Sequence, residues 1–323
     1  MTIIPIAASA QTHPNLRPLN VLRDLSPVAD LIETCFSSTM DQEGRQYLQE
    51  MRRSGNSFAR WASRAVETTS LPLTGYVWEE NGKIVGNVSL IPFRSGKKRI
   101  YLIANVAAHP DYRRRGIAWA LTRRAVEHAR EKNVGEIWLH VRDDNPGAFD
   151  LYRKLGFIER ARRTSWQARA ESGLPVQAAS GIVVAGGSPA DWRAQQAWLS
   201  MRYPDILSWH RGWSFHLLRP GVWNWLHRFF AVSNIRQWTA LKGGELQAAL
   251  AWMPNGNDES LFAAAGEESD PQALTALLLR ARRDLSRFYS SVALEFPSGR
   301  FDDAIRAAGF NPLRTLIWMQ ATS

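Results

Sequence analysis

Apolar residues recur along the chain with two different spacings, and the alternation of the two predicts a mixed α and β architecture. Val28, Leu31, Ile32, Cys35 and Phe36 fall at i, i+3, i+4, i+7 and i+8, one face of an amphipathic helix over about Ser26 to Met40. Pro27 suits the first turn of such a helix. A second helix covers about Glu43 to Val66, with Gly44 and Gly55 blurring its limits. Tyr76 to Glu80 and Ile84 to Ile91 then flank Asn81-Gly82, the dipeptide of a two-residue hairpin. A strand follows over Ile100 to Ala108 and a helix over Arg115 to Glu131. A short strand (Ile137 to Val141), a short helix (Pro146 to Leu155) and a closing strand (Phe157 to Ala168) complete the series.

The same order then recurs. Gly181 to Ala185 reads as a strand and Pro189 to Met201 as a helix. Gln237 to Leu241 and Leu246 to Trp252 flank Gly243-Gly244, again a hairpin signal. A strand over Leu261 to Ala265, a helix over Pro271 to Phe288 and a strand over Val292 to Phe296 follow. The segment Asp302 to Phe310 echoes Phe149 to Phe157 at an offset of 153 residues. A chain of 323 residues is also too long for one ordinary core. The expected fold is therefore α+β, in two tandem copies of one unit, residues 1–170 and 171–323. Each copy would be a mixed, mostly antiparallel sheet flanked by helices.

Composition narrows the class. At 45% hydrophobic and 22% charged residues the chain is a globular protein, and no apolar run approaches the roughly 18–20 residues of a membrane span. The opening MTIIPIAASAQ has an apolar patch and an Ala-Ser-Ala, but no basic n-region, and Pro5 interrupts it; a flexible leader is expected. The single cysteine, Cys35, excludes an internal disulfide framework and fits a reducing cytoplasm. The net charge of +10 is unevenly spread. Residues 1–170 carry 26 Lys and Arg against 17 Asp and Glu, a net of +9; the remainder carries 14 against 13, a net of +1. A basic half suits a polyanion, either nucleic acid or a phosphorylated cofactor, although solvated surface charge would account for the count alone.

The sharpest chemical signal lies between Asn105 and Ala118, where a strand runs into a basic, glycine-containing turn that opens a helix. Free amides at a helix N-terminus favour an anion, Gly116 lets the backbone approach it, and Arg113, Arg114 and Arg115 add charge. Three arginines in a loop need no ligand, but that reading leaves Gly116 and Ala118 at the helix start unexplained.

At this point the chain resembles the GNAT superfamily of acetyl-CoA-dependent N-acyltransferases, whose acyl-CoA motif R/Q-x-x-G-x-G/A is matched by Arg113, Gly116 and Ala118. The resemblance covers about residues 20–168 and makes the fold two tandem GNAT-like domains, the second degenerate. It implies that Val106, Ala107 and Ala108 meet the acetyl and pantetheine groups of acetyl-CoA. It also implies that Arg113, Arg114, Arg115, Gly116, Ile117 and Ala118 hold the pyrophosphate. Asn145, Tyr152 and Leu155-Gly156-Phe157 match the second family motif. The resemblance makes Asn145 a cofactor contact and Tyr152 the acid that protonates the departing thiolate, seven residues or two helical turns apart. For Tyr152 a plain packed aromatic is the competing reading.

The base is open. A protonated amine must lose its proton before it attacks a thioester. His140 occupies the position where the similar ribosomal-protein alanine acetyltransferases carry a glutamate, and it is either that base or a structural residue. Glu79, Glu80 and Asp144 are alternatives acting through water. Cys35 sits on an apolar helix face, which argues against a covalent cysteine mechanism.

The second copy lacks this equipment. Gly266 to Pro271 is acidic where the first copy is basic, and Ile305 stands in place of Tyr152. The tandem arrangement resembles mycothiol synthase, which uses its other half for catalysis, so that substrate is not carried over. The dense aromatic stretch from Trp198 to Phe230, with His210, His216 and His227, reads first as core and domain-interface packing. Lining an acceptor pocket or resting on a membrane surface are the alternatives, and the histidine spacing matches no familiar metal site. The expected activity is acetyl transfer to a small-molecule or peptide amine, in the cytoplasm, without metal, nucleic acid or a membrane span. The competing class is a non-catalytic acyl-CoA-binding or sensing module.

Overall fold

The computed structural model describes residues 13–40, 42–61, 74–174, 181–187, 189–210, 214–219, 235–255 and 258–322. The opening MTIIPIAASAQ, residues 62–66 of the second expected helix, and Trp213, Trp223, Trp225, His227, Phe229 and Phe230 lie outside them. The chain forms two compact units. The first comprises Met1–His140, Asp150–Ile158 and Gln320–Ser323; the second comprises Val141–Phe149 and Glu159–Met319.

In the first unit the order is β1 (Leu16–Pro18), α1 (Val21–Phe36), α2 (Gln42–Trp61), β2 (Thr74–Glu80), β3 (Lys83–Ser95), β4 (Lys98–Ala108), α3 (Ile117–Glu131) and β5 (Glu136–Arg142). The strands lie in sequence order; β1 to β4 pair antiparallel and β5 runs parallel to β4. Asn81 (φ 53°) and Gly82 (φ 75°) both turn left-handed, as the two-residue hairpin requires. Val77, Ile84 and Ala107 pack with Leu25 and Val28 of α1 and Leu48 and Met51 of α2. Tyr76, one residue from Val77, points the other way and its hydroxyl meets His128 Nδ1 on α3 at 2.8 Å. A methyl at Gly86 would stand 2.6 Å from Ile117 Cγ2, so that glycine lets α3 lie close on the sheet.

Helix α1 starts earlier than its periodicity suggests, and Pro27 lies inside it. The cause is a reciprocal cap. Asn20 Oδ1 accepts from the Leu22 amide at 3.0 Å, and the Asn20 amide donates to Asp24 Oδ2 at 2.7 Å. Pro27 removes only the donor that would meet the Arg23 carbonyl. Asp24 is 1% exposed and is held by Arg17 at 2.6 Å and Arg23 at 3.1 Å. Burial raises its pKa, but the Arg17, Asn20 and Arg23 hydrogen bonds outweigh that, and the carboxyl lies below its ordinary range. Because the folded value is depressed, its contribution to stability is full above the unfolded value and is lost as pH falls through the folded one. Asp24→Asn is expected to lower stability by about 2–4 kcal/mol in urea titrations at pH 7, and the difference from wild type should shrink in strong acid.

The second unit repeats the succession. After α4 (Pro146–Lys154) and β6 (Phe157–Arg169) come β7 (Ile182–Gly186), α5 (Trp192–Arg202), β8 (Arg236–Lys242), β9 (Glu245–Asn255) and β10 (Asp258–Ala265). Then follow α6 (Pro271–Leu285), β11 (Ser291–Pro297), α7 (Asp302–Ala307) and β12 (Asn311–Ala321). Strand order is β12-β6-β11-β10-β9-β8-β7, with β10 and β11 parallel and the pairs β6–β11, β9–β10, β8–β9 and β7–β8 antiparallel. The fold is α+β: two tandem copies, each a mixed sheet flanked by helices. Two features were not expected: β12 closes this sheet, and β6 from Glu159 onward belongs to it. Of the aromatic stretch, Tyr203 packs against Phe215 and Phe262 at 5.4 and 5.7 Å, and Trp209 against Trp318 at 5.8 Å, which is core packing. No helix among the described residues is long and apolar enough to cross a membrane.

Candidate active site

Strand β4 opens at its C-terminal end. Its parallel register with β5 runs from Ile100↔Glu136 to Ile103↔Leu139 and stops there. On its other edge Ala104 pairs with Ser89 and Ala107 with Asn87, so Asn105 and Val106 together stand opposite Val88 as a β-bulge. Asn105 has φ 51°, a left-handed conformation that asparagine tolerates better than most residues. Ala104, Asn105 and Val106 are half-buried in a strand with neighbours on both sides. His140, half-buried, is the first β5 residue past the paired stretch.

Beyond β4 the chain makes a short helical turn at Pro110–Tyr112, capped by His109, whose Nδ1 accepts from the Asp111 amide at 3.4 Å. Arg114 (φ 63°) and Gly116 (φ 79°) both turn left-handed before α3 begins at Ile117. Gly116 is the N-cap residue and has no side chain to satisfy the first-turn amides. A methyl built on it would meet nothing within 4 Å, so the space before α3 is open. The turn folds back on the strand end, where Arg113 Nε donates to the Ala108 carbonyl at 3.4 Å. Arg115 donates to both Glu80 oxygens at 3.0 Å, which takes up part of its charge. Arg114 has no ion pair among the described residues.

Cys35 also reaches this point, its Sγ donating to the Ala108 carbonyl at 3.3 Å. Burial pushes the thiol up, against the opposing influence of Arg113, so it stays protonated. Asn145 lies just before α4 and is exposed, and its Oδ1 accepts from the Ala148 amide at 3.1 Å. Tyr152 is 7% exposed, edge-on to Phe157 at 6.2 Å, and burial pushes its phenol well above the ordinary tyrosine range. The three carboxylates weighed as bases are each held by arginine: Glu79 by Arg17 at 2.6 Å, Glu80 by Arg115, and Asp144 by Arg142 at 2.6 Å. Asp144 and Arg142 favour each other's charged form, and the Asp144 carboxyl lies below its ordinary range.

A polar set behind the bulge, formed by the buried Asn87 and Ser89 and the half-buried Tyr47 and Asn105, was not foreseen from sequence. Asn105 Nδ2 donates to Tyr47 Oη at 2.9 Å and to Ser89 Oγ at 3.3 Å; Asn87 Nδ2 donates to the Asn105 carbonyl at 2.9 Å. The available signal was two polar residues, Asn87 and Ser89, alternating on one face of an otherwise apolar strand.

Residues 29–157 match the acetyltransferase (GNAT) family model. This segment is a GNAT domain. It is similar to an uncharacterized N-acetyltransferase of Methanocaldococcus jannaschii, 35% identical over 96 residues that make up 28% of this chain and 42% of that protein. It is also similar to the ribosomal protein bS18-alanine N-acetyltransferase of Escherichia coli, 37% identical over 62 residues, 19% of this chain and 42% of that one. The chain thus spans about two fifths of the length of these relatives. Over nearly the whole chain the fold resembles a GCN5-related N-acetyltransferase from Sphaerobacter thermophilus, with a TM-score of 0.56, 15% identity and coverage of 95% and 96%. At that identity the likeness concerns the fold.

In the second unit the turn equivalent to that of the GNAT domain is filled by its own side chains. Ser269 Oγ accepts from the Gly266 amide at 2.8 Å. Asp270 caps α6, accepting from the Gln272 amide at 2.9 Å, and is paired with Lys242 at 2.6 Å. Arg202, 3% exposed, donates to the carbonyls of Ala265 and Gly266 and to Glu267. Ile305 is fully buried. A carboxylate therefore stands at the helix N-terminus where the GNAT domain leaves open space.

Proposed function

We propose that the protein is an N-acetyltransferase that moves an acetyl group from acetyl-CoA to an amine by direct attack in a ternary complex. The observation that carries this reading is the bulged, opened end of β4 running into a turn of three arginines before an uncapped helix N-terminus. Val106, Ala107 and Ala108 would lie along the acetyl and pantetheine portion, and Arg113 to Ala118 around the pyrophosphate, where free amides and guanidinium groups suit an anion. His140 takes the proton as the amine nitrogen attacks the thioester carbon; the carboxylates are the weaker candidates because arginines hold them. The C–S bond breaks, and Tyr152, kept protonated by burial, donates to the departing sulfur. Holding both reactants in one site supplies much of the rate. The second unit, whose turn is filled, binds no coenzyme A in this reading. The setting is the cytoplasm, where acetyl-CoA is available.

The acceptor class is a small-molecule or peptide amine. The E. coli relative's substrate makes a peptide N-terminus the first acceptor to try. The experiment is thiol release from acetyl-CoA across a panel of peptide, amino-sugar, polyamine and aminoacyl amines, alongside calorimetric binding of acetyl-CoA. Amine-dependent release is expected. Tight acetyl-CoA binding with no release from any amine would support a non-catalytic acyl-CoA-binding module instead.

A further inference from the structure

The polar set behind the β4 bulge is costly to bury, and one of its atoms has no partner. Asn87 is wholly buried, and its Oδ1 meets no donor. Its amide cannot be turned to repair this, because that would set its oxygen against the Asn105 carbonyl which Nδ2 now donates to at 2.9 Å. Asn87 is thus committed to holding the carbonyl of the bulge residue. The side chain of the same residue is held from two other directions, by Ser89 Oγ on β3 and by Tyr47 Oη on α2. Three side chains from two elements grip one left-handed residue, and the next two residues lie in the stretch of β4 beyond its pairing with β5.

A bulge alone needs none of this: glycine would adopt the conformation without help. Tyr47 is half-buried, and that burial pushes its phenol up to about 12 while the Asn105 contact opposes the shift, so it stays neutral across the working range. Its oxygen lies 58 residues away in sequence from the group it accepts, so α2 and β4 are tied at this point. We propose that Tyr47 is a positioning residue for acyl transfer: through Asn105 it fixes the bulge that sets Val106 and Ala107 against the thioester. This rests on the acetyltransferase reading of the same site.

The test is a cycle of Tyr47→Phe, Asn105→Gly and the double variant. Glycine keeps the left-handed backbone but gives up the side-chain link, and phenylalanine removes only the hydroxyl. Each single variant is expected to lower kcat about tenfold while leaving acetyl-CoA affinity within about twofold and the melting temperature nearly unchanged. The double variant should be no slower than Asn105→Gly alone, since one link is being cut twice. Backbone amide resonances of Val106 and Ala107 should move in Tyr47→Phe. Unchanged kcat in Tyr47→Phe, or fully additive losses, would overturn the proposal. If the wild-type protein turns over no amine, the acetyltransferase reading fails, and the amide resonances still decide the clamp: Val106 and Ala107 signals indifferent to Tyr47→Phe would remove it.

Discussion

Arg113→Glu combined with Gly116→Asp is expected to weaken acetyl-CoA binding by at least about 100-fold, because each change removes a charge-assisted contact worth roughly 1.5–3 kcal/mol or replaces it with repulsion. Arg113 sits where the turn folds back on Ala108, and Gly116 leaves the space before α3 open. An aspartate at Gly116 would put a carboxylate at the N-terminus of α3, the arrangement that Asp270 makes at α6 in the second unit. Helix capping then offsets part of the strain of a side chain at φ 79°, which costs on the order of 1–2 kcal/mol. The variant should therefore remain folded by circular dichroism while calorimetry loses the binding signal. Wild-type binding should also weaken as salt is raised. Undiminished affinity in the double variant would remove the turn from the coenzyme site.

Tyr152→Phe should lower the rate of acetyl transfer by roughly 100-fold or more, within the range that a positioned acid contributes, and leave acetyl-CoA affinity nearly intact. The phenol is almost wholly buried and packs on Phe157, and its hydroxyl has no hydrogen-bond partner among the described residues. Removing a hydroxyl that makes no hydrogen bond within the fold should leave stability nearly unchanged, so a loss of rate could not be put down to unfolding. The measurement is single-turnover transfer, which isolates the chemical step. Since burial raises the phenol's pKa, the protonated form persists as pH climbs through the ordinary tyrosine value of about 10. The wild-type rate should accordingly show no loss from this group below that pH. Equal single-turnover rates in the two proteins would return Tyr152 to a packing role.

What the sequence disclosed was local. Asn81-Gly82 announces its hairpin because both residues must turn left-handed, and the hairpin forms there. The Arg113 to Ala118 turn was legible because glycine and arginine are concentrated at one helix start, and the left-handed Gly116 does stand there. The tandem order could be followed because each element carries its own periodicity. Pro27 misled because the cap that starts α1 lies seven residues earlier, at Asn20, and works through the buried Asp24. Long-range partners left no such trace. Arg17 reaches Glu79 across 62 residues, and Arg202 reaches Ala265 across 63. Tyr47 and Asn105 are likewise joined only in space, across 58 residues. Strand β12 escaped notice because Leu316, Ile317, Trp318 and Met319 form a short apolar run without alternation.

The tie between Thr322 and Gly156 bears on how the protein is made. Thr322 offers both its amide and its hydroxyl to the Gly156 carbonyl at 3.0 Å, and Arg130 donates to the Thr322 carbonyl at 3.4 Å. Gly156 follows the helix that carries Tyr152, yet its partner lies 166 residues further along the chain. Synthesis proceeds at about 5–20 residues per second, so roughly 10–30 seconds separate the appearance of the two on the ribosome. The GNAT segment spends that interval without this fastening, and gains it only after the whole of the second unit has been made.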